Sequence, residues 1–270
     1  MSELNGKVAI ITGAGRRRSI GYSTAMALAK LGASVVVTGT GRDPSTFPED
    51  EKAIGWRDVE STAEDARRLG VRALPLVVDV TASEQVEEML RRTMEELGRV
   101  DILINNAAMP IGGDRVPVVE LEPDIFQRVL DVKVRGMYLC CKAVVRVLIQ
   151  QGEGGKIVTV ASMAGKRGAA NALAYNAANF AQVGMTQSLA QELGKYRINV
   201  NSICPAAVDT SRMDMFGRGE RWQEIAAQVP IGRNGTPEEV GGFIAFLCTE
   251  AASWIHGQSI NIDGGAVMEH

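Results

Sequence analysis

Two side chains, Ser162 and Tyr175, stand thirteen residues apart and together could act on a carbonyl group. A tyrosine hydroxyl can give a proton to a carbonyl oxygen if its pKa, about 10 when unperturbed, is lowered toward the working pH. A nearby ammonium group lowers such a pKa by about 1–3 units, and a serine hydroxyl can hold the carbonyl in place. Two further positions bear on this chemistry: Asn179, one helical turn after Tyr175, and Lys133, on the preceding predicted helix.

A glycine-rich turn follows the first predicted strand and leads into the first predicted helix. Glycine lets the main chain approach a pyrophosphate closely, and the amides and positive dipole of a helix N-terminus face the phosphates. A lone glycine-rich turn is a weak signal, but this context strengthens it. The turn is therefore predicted to bind a dinucleotide through Gly13, Arg18, Ser19, Ile20 and Gly21.

Short β-branched runs alternate with longer helical patterns, which is typical of βαβ units. The predicted strands are Val8–Thr12, Ser34–Thr38, Ala73–Asp79, Asp101–Asn105, Gly155–Ser162, Asn199–Cys204 and Ser259–Ile262. The predicted helices include Ser23–Leu31, Ser83–Leu97, Asp124–Gln150 and Ala174–Leu193. Several strands are almost wholly apolar, as in a parallel sheet covered by helices on both faces. The pattern predicts an α/β fold of the Rossmann type, with one doubly wound parallel sheet of seven strands.

The length of 270 residues fits one α/β domain over residues 1–270. Two segments interrupt the alternation. Residues 40–59 are polar, with two prolines and an acidic run, and are expected to form a solvated surface loop. Residues 209–228 follow a strand's carboxyl end, where doubly wound folds bind ligands. This second segment is interpreted either as a substrate lid or as helices packed on the core.

The formal charge of −3 gives no electrostatic reason to expect binding to nucleic acid or to an acidic membrane surface. No window reaches transmembrane length, and no apolar run of signal-peptide length follows the N-terminus. The four cysteines lack metal-ligand spacing, so buried free thiols are expected and no metal is predicted. A cytoplasmic location follows as an expectation.

Taken together, several ordered motifs resemble the classical short-chain dehydrogenase/reductase family over nearly the whole chain. They are Thr12-Gly13 with Gly21, Asp79-Val80, Asn105-Asn106-Ala107-Ala108, Ser162, Tyr175, Pro205 with Thr210, and Asp263-Gly264-Gly265. The resemblance implies that a nicotinamide dinucleotide also contacts Asp79, Val80, Asn106, Ala107, Tyr175, Pro205, Val208 and Thr210. It further implies a homotetramer formed through the two long helices and the C-terminal strand.

The glycine turn departs from the family pattern T-G-x-x-x-G-x-G. The stretch from Gly13 to Gly21 is two residues longer, and Ser19 stands where the second glycine is usual. The variant is similar to the loop of the enoyl-thioester reductases within the same superfamily. We expect it to cradle a pyrophosphate through main-chain amides, with the Ser19 hydroxyl as an additional contact.

The family's catalytic lysine and asparagine have exchanged places. Asn179 occupies the usual lysine position, and Lys133 occupies the asparagine position of a D-V-N-x-x-G pattern. In one explanation the exchange compensates: Lys133 brings its ammonium to Tyr175, while Asn179 holds ribose hydroxyls or a water. In the second, hydride transfer is weakened and the fold serves non-redox chemistry or cofactor-dependent binding. In the third, Lys133 faces solvent and the chain is a poor enzyme.

The cofactor preference depends on the end of the second strand, where NAD-preferring relatives place an acidic residue. Here no carboxylate follows until Asp43, and the arginines at 16–18 with Arg42 could meet a 2′-phosphate. NADP(H) is therefore favoured, with NAD(H) as the alternative.

The implied function is a ketoreductase-type oxidoreductase that interconverts a ketone and a secondary alcohol. The substrate is expected to be small and hydrophobic because the residues facing it by analogy are mostly apolar, namely Met109, Pro110, Ile111, Met163, Ala164 and Ala206.

Overall fold

A computed structural model describes residues 3–269 and places the strands in one parallel sheet. The strands are β1 (Val8–Ile11), β2 (Ser34–Gly39), β3 (Ala73–Val77), β4 (Ile102–Asn105), β5 (Gly155–Val160), β6 (Ile198–Pro205) and β7 (Ser259–Ile262). Their spatial order is β3-β2-β1-β4-β5-β6-β7, and every neighbouring pair is parallel. The predicted seven-stranded doubly wound sheet is confirmed.

Helices cover both faces of the sheet. They are α1 (Ile20–Lys30), α2 (Glu49–Ala53), α3 (Val59–Arg68), α4 (Ser83–Leu97), α5 (Pro123–Leu130), α6 (Gly136–Gln151), α7 (Leu173–Leu193), α8 (Glu220–Ala227) and α9 (Pro237–Leu247). Because side chains alternate along a strand, β1 feeds two cores: Ala9 and Ile11 join one cluster, and Val8 and Ile10 join the other. Burial on both faces explains the apolar strand sequences. No helix within residues 3–269 has the length and apolar character needed to cross a bilayer.

The sheet reverses its strand order between β1 and β4, and the loops after these strands are joined by hydrogen bonds. The Thr12 hydroxyl accepts from the amides of Asn106 at 2.9 Å and Ala107 at 3.1 Å. The Asn106 side chain donates to the carbonyls of Thr12 and Gly13, both at 2.9 Å. Ligands of open α/β sheets bind at such a reversal, outside the carboxyl ends of the strands. The fold therefore positions a cleft beside the glycine turn.

The prediction of a helical stretch over Asp124–Gln150 is confirmed in extent, but the helix is not regular. The chain forms α5, then a π-helical turn over Asp131–Arg135, then α6. A π-turn holds an additional residue per turn and is often found at functional sites. A Cβ on Gly136 would lie 2.7 Å from Val80, so the helix lies close to the loop after β3.

The prediction that residues 40–59 form a solvated surface loop is only partly correct, because most of these residues are exposed but the segment also contains a helix and buried side chains. Phe47, Glu51 and Trp56 are buried, and α2 lies between them. The Trp56 indole donates to the Gly15 carbonyl at 2.7 Å, and Glu51 accepts from the Arg17 amide at 2.8 Å. These side chains, spaced too irregularly to give a periodic signal, fasten the insertion onto the glycine turn.

The segment 209–228 contains a short helical turn, Ser211–Phe216, followed by α8. None of residues 211–228 is buried, which favours the substrate lid over helices packed on the core. Arg18 connects it to the rest of the cleft: its guanidinium contacts Asp214 at 2.7 Å and Asp50 of the insertion at 3.0 Å. The substrate-lid interpretation stays a prediction.

Replacing Trp56 by alanine should lower the free energy of unfolding by about 3 kcal/mol or more, because a buried indole and its hydrogen bond are both lost. The measurement is urea-induced unfolding at fixed protein concentration. Ile54→Ala, an exposed position in the same insertion, is the control and should change stability by less than about 0.5 kcal/mol. Equal free energies of unfolding for both variants would indicate that the insertion is a solvated surface loop.

Candidate active site

Ser162 and Tyr175 meet at the carboxyl end of β5. Ser162 comes two residues after the strand ends, and Tyr175 lies in the first turn of α7. The Ser162 hydroxyl accepts the amide of Ala164 at 3.2 Å, which fixes its side chain, and it lies within hydrogen-bonding range of the Tyr175 hydroxyl. The structure thus brings together the predicted Ser–Tyr pair.

Lys133 reaches the same site from the π-helical turn. Its side chain is buried, with only 4 % of the residue exposed, and its Nζ lies 5.6 Å from the centre of the Tyr175 ring. The amine donates to the Val160 carbonyl at 3.4 Å. Gln182 of α7 donates to the main-chain carbonyl of Lys133 at 2.9 Å, which holds the turn against α7. The ammonium therefore faces the phenol and not solvent.

Asn179 is fully buried beneath Tyr175. Its side-chain amide donates to the Tyr175 carbonyl at 2.7 Å, one turn back along α7. Its Oδ1 has no hydrogen-bond partner among residues 3–269. The Asn179 amide thus donates within its own helix, and its unpartnered oxygen could accept from a ribose hydroxyl or water. The predicted contact of Asn179 with the cofactor stays a prediction.

Two arginines that sequence analysis did not select contact Tyr175. Arg212, in the turn after Thr210, donates to the Tyr175 hydroxyl at 3.3 Å and to the Met109 carbonyl at 2.9 Å. Arg115, in the loop after β4, places its guanidinium carbon 3.9 Å from the centre of the Tyr175 ring. Neither arginine belongs to a family motif. In the loops that carry them, only apolar residues were predicted to face the substrate.

Three cations thus surround the phenol and change its acidity. Burial raises the pKa of Tyr175, but the charges of Arg212 and Lys133 and the hydrogen bond from Ser162 more than offset this and bring the pKa to about 7. Burial lowers the pKa of Lys133 to about 8, with Tyr175 opposing that change and both arginines adding to it. A phenol with such a pKa can both give and take a proton near neutral pH.

The glycine turn has the shape needed for close approach of a pyrophosphate. Gly13 has a φ of +70°, and a Cβ there would lie 2.9 Å from the Cα of Ala107. A Cβ on Gly21 would lie 2.6 Å from the Asn106 side chain, so larger residues do not fit either position. The first turn of α1 has no acidic residue, which leaves its amides and dipole open to an anion. These features fit a dinucleotide phosphate.

Ser19 is the N-cap of α1. Its hydroxyl accepts the Tyr22 amide at 3.1 Å and donates to the Arg16 carbonyl at 2.6 Å. Arg16 pairs with the buried Glu51 at 3.1 Å, and Arg18 pairs with Asp50 and Asp214. The Ser19 hydroxyl and two of the three arginines of this run therefore have partners within the protein.

A carboxylate that sequence analysis missed lies at the end of β2. Asp58 lies nineteen residues beyond Gly39 in sequence, but its carboxylate packs against both Gly15 and Gly39. A Cβ added to Gly15 would lie 1.4 Å from Asp58 Oδ1, and a Cβ added to Gly39 would lie 3.1 Å from Asp58 Oδ2. Its main chain has a φ of +51°, a strained value for a non-glycine residue. Its Oδ2 is buried and has no hydrogen-bond partner in the described chain. The sequence distance concealed this acidic group.

The remaining predicted cofactor residues line the carboxyl ends of the strands. Asp79 is exposed and accepts a hydrogen bond from the Thr81 amide at 2.9 Å, while Val80 is buried.

After the sixth strand, Pro205 ends β6, Val208 is buried and pairs with Gly235, and Thr210 is buried. Ile20 begins α1, and Arg42 lies exposed beyond β2. These positions lie at or after the carboxyl ends of parallel strands, and their contacts with a cofactor stay predictions.

Known proteins resemble this chain over almost its full length. A family model described as "Enoyl-(Acyl carrier protein) reductase" matches residues 13–267. A galactitol 2-dehydrogenase of Agrobacterium fabrum is 35% identical over 275 residues, which cover 98% of this chain and 99% of that protein. A cyclohexanol dehydrogenase of Rhodococcus is 34% identical over 265 residues, covering 97% and 96%.

A solved structure of 7 alpha-hydroxysteroid dehydrogenase complexed with NADH and 7-oxo glycochenodeoxycholic acid superimposes with a TM-score of 0.85 at 31% identity. The match covers 99% of this chain and 96% of the other. The chain belongs to the short-chain dehydrogenase/reductase family and is an oxidoreductase. The predictions of family, fold and enzyme class are confirmed.

Replacing Arg212 by glutamine should raise the pKa of Tyr175 by about 1 unit, because a cation that stabilises the phenolate is lost. Alcohol oxidation requires the phenolate, so the acid limb of kcat/KM for oxidation should move to higher pH by the same amount. The measurement is the pH profile of cofactor reduction. Arg221→Gln, an exposed arginine of α8, is the control, and an unmoved profile in Arg212→Gln would contradict the expectation.

Proposed function

We propose that the protein is a nicotinamide-dependent oxidoreductase that interconverts a ketone and a secondary alcohol, with Tyr175 as its proton donor and acceptor. The observation that carries this proposal is the buried ammonium of Lys133 beside the phenol. A ketone and a secondary alcohol differ by a hydride on carbon and a proton on oxygen. Tyr175 transfers the proton. The bound nicotinamide supplies or accepts the hydride.

The side chains divide the remaining work. Ser162 holds the substrate oxygen next to Tyr175, since its hydroxyl lies within range of the phenol and is fixed by the amide of Ala164. In reduction Tyr175 gives its proton to that oxygen, and in oxidation its phenolate removes the alcohol proton. Lys133 and Arg212 stabilise the phenolate by charge.

Of the three explanations for the exchanged lysine and asparagine, the contacts support compensation best. An amine facing solvent was the condition for the third explanation, whereas Lys133 is buried and faces Tyr175. Asn179 lies under the phenol without charge, at the position where the family has a lysine. We propose that Lys133 serves as the positioning cation from the neighbouring helix.

Removing the phenol hydroxyl in Tyr175→Phe should lower kcat by about 100- to 10,000-fold, because general acid–base catalysis is lost. Lys133→Met should lower it by about tenfold to a hundredfold, since the phenolate loses a nearby charge. Cofactor oxidation with a panel of ketones measures both.

Lys142→Met, an exposed lysine of α6, is the matched control. Turnover that is unchanged in Lys133→Met but lost in Tyr175→Phe would rule out compensation. The double variant Lys133→Asn with Asn179→Lys restores the family arrangement. A large increase in a feeble rate would favour the second explanation, in which the native site is not optimised for hydride transfer.

The cofactor preference is argued from the end of β2. The sequence favours NADP(H) through the arginines at 16–18 and Arg42, but Arg16 and Arg18 have carboxylate partners. Asp58 places a carboxylate between the glycine turn and Gly39, where NAD-preferring relatives hold an acidic residue. We therefore propose that NAD(H) is used, with Asp58 accepting ribose hydroxyls, and that Arg42 remains as the contact for NADP(H) binding.

Asp58→Asn should strengthen NADPH binding relative to NADH by about tenfold, because a carboxylate that repels a 2′-phosphate is lost while its shape is kept. Dissociation constants from calorimetric titration provide the measurement, independent of turnover. Asp43→Asn, an exposed aspartate of the same insertion, is the control. The opposite result would be a wild-type preference for NADPH that Arg42→Ala abolishes and Asp58→Asn leaves unchanged. That result would support the sequence-based prediction of NADP(H).

The proposed setting of the enzyme is a cytoplasmic homotetramer that acts on small molecules. Tyr138 of α6 and Phe180 of α7 expose large apolar surfaces on the two long helices, and β7 is an edge strand of the sheet. Such surfaces support association through these elements.

A further inference from the structure

We propose that the natural substrate carries a carboxylate, which Arg115 and Arg212 bind beside the reacting carbon. This inference rests on the proposed function because it places the substrate at Tyr175. It adds a charged group to the small, mainly apolar substrate expected from sequence. The substrate class is then a short oxo acid and the corresponding hydroxy acid.

The two arginines approach Tyr175 from different segments. Arg115 comes from the loop after β4 and lies over the phenol ring, with its guanidinium carbon 3.9 Å from the ring centre. Arg212 comes from the turn after β6 and reaches the phenol oxygen at 3.3 Å. Each guanidinium presents a fork of N–H donors that can bind a carboxylate, and both arginines contact the same phenol.

The charges around Tyr175 do not balance. Lys133, Arg115 and Arg212 are three cations, and the carboxylate paired with them is Asp114, 3.0 Å from Arg115. Within the described chain Arg212 makes no ion pair, and its donors meet the neutral Met109 carbonyl and the phenol. Positive charge in a partly buried cleft is costly without a counter-ion, and an anionic substrate would provide one.

The distances limit where the carboxylate stands in the substrate. The reacting oxygen must lie at the Tyr175 hydroxyl, which Arg212 already contacts at 3.3 Å. A carboxylate that meets the same guanidinium is therefore separated from the reacting carbon by a few bonds. This favours 2-oxo and 3-oxo acids over acids with a distant carboxylate.

A purely catalytic role for the arginines is the competing explanation, since their charges also stabilise the phenolate. That role predicts equal losses for charged and neutral substrates when an arginine is removed. Binding of a substrate carboxylate predicts a larger loss for the charged substrate than for the neutral one, and this additional loss is expressed mainly in KM. Matched acids and esters separate the two explanations.

The experiment compares 3-oxobutyrate with methyl 3-oxobutyrate as substrates of the enzyme with its preferred reduced cofactor. The acid should have a kcat/KM about tenfold to a hundredfold higher than the ester. Arg115→Gln should raise KM for the acid about tenfold more than KM for the ester. Arg221→Gln, at an exposed arginine of α8, is the control and should change neither.

A binding measurement decides the proposal even without turnover. Calorimetric titration of the cofactor-bound enzyme with butyrate should show binding about tenfold tighter than with butyramide, and Arg115→Gln should remove the difference. An ester turned over as well as the acid, with butyrate and butyramide bound equally, would overturn the carboxylate site and leave the oxidoreductase function standing. Preferential butyrate binding with no turnover of any ketone would support the site and refute the proposed function.

Discussion

The site depends on an ammonium group held out of water next to a phenol. Taking a lysine into the interior costs free energy, and the cost is tolerated where a partner can share the charge. Lys133 has such a partner in Tyr175, and each side chain shifts the proton affinity of the other. The coupling explains why a tyrosine can exchange protons near neutral pH although position 179 on its own helix carries no charge.

Side-chain packing of α5 and the π-helical turn against α7 brings this pair together, and hydrogen bonds from side chains to the main chain join the surrounding loops. Gln182 anchors the π-helical turn to α7, and Asn106 with Thr12 joins the loops after β4 and β1. The insertion is attached to the glycine turn through Trp56 and Glu51. As a result, the cleft is bordered by rigid strand ends on one side and by segments held through polar contacts on the other.

Sequence reasoning predicted what is local and periodic. Ser83–Leu97 and Ser259–Ile262 were predicted to the residue because amphipathic and apolar runs with clear ends determine them. The Ser162–Tyr175 pair was found from ordered motifs. Asp58, Arg115 and Arg212 were missed because their positions depend on how loops fold back over the cleft, which no periodicity records. The π-turn was missed because its sequence is compatible with a continuous helix.

The π-helical turn makes the number of residues before α6 as important as their identity. Each residue of a helix rotates the chain by about 100°, so losing the additional residue of this turn would point a different side chain at Tyr175. Lys133 would then face another layer of the protein, and a neutral neighbour would take its place. The position of the charge at the phenol thus depends on the phase of the helix as well as on the presence of a lysine.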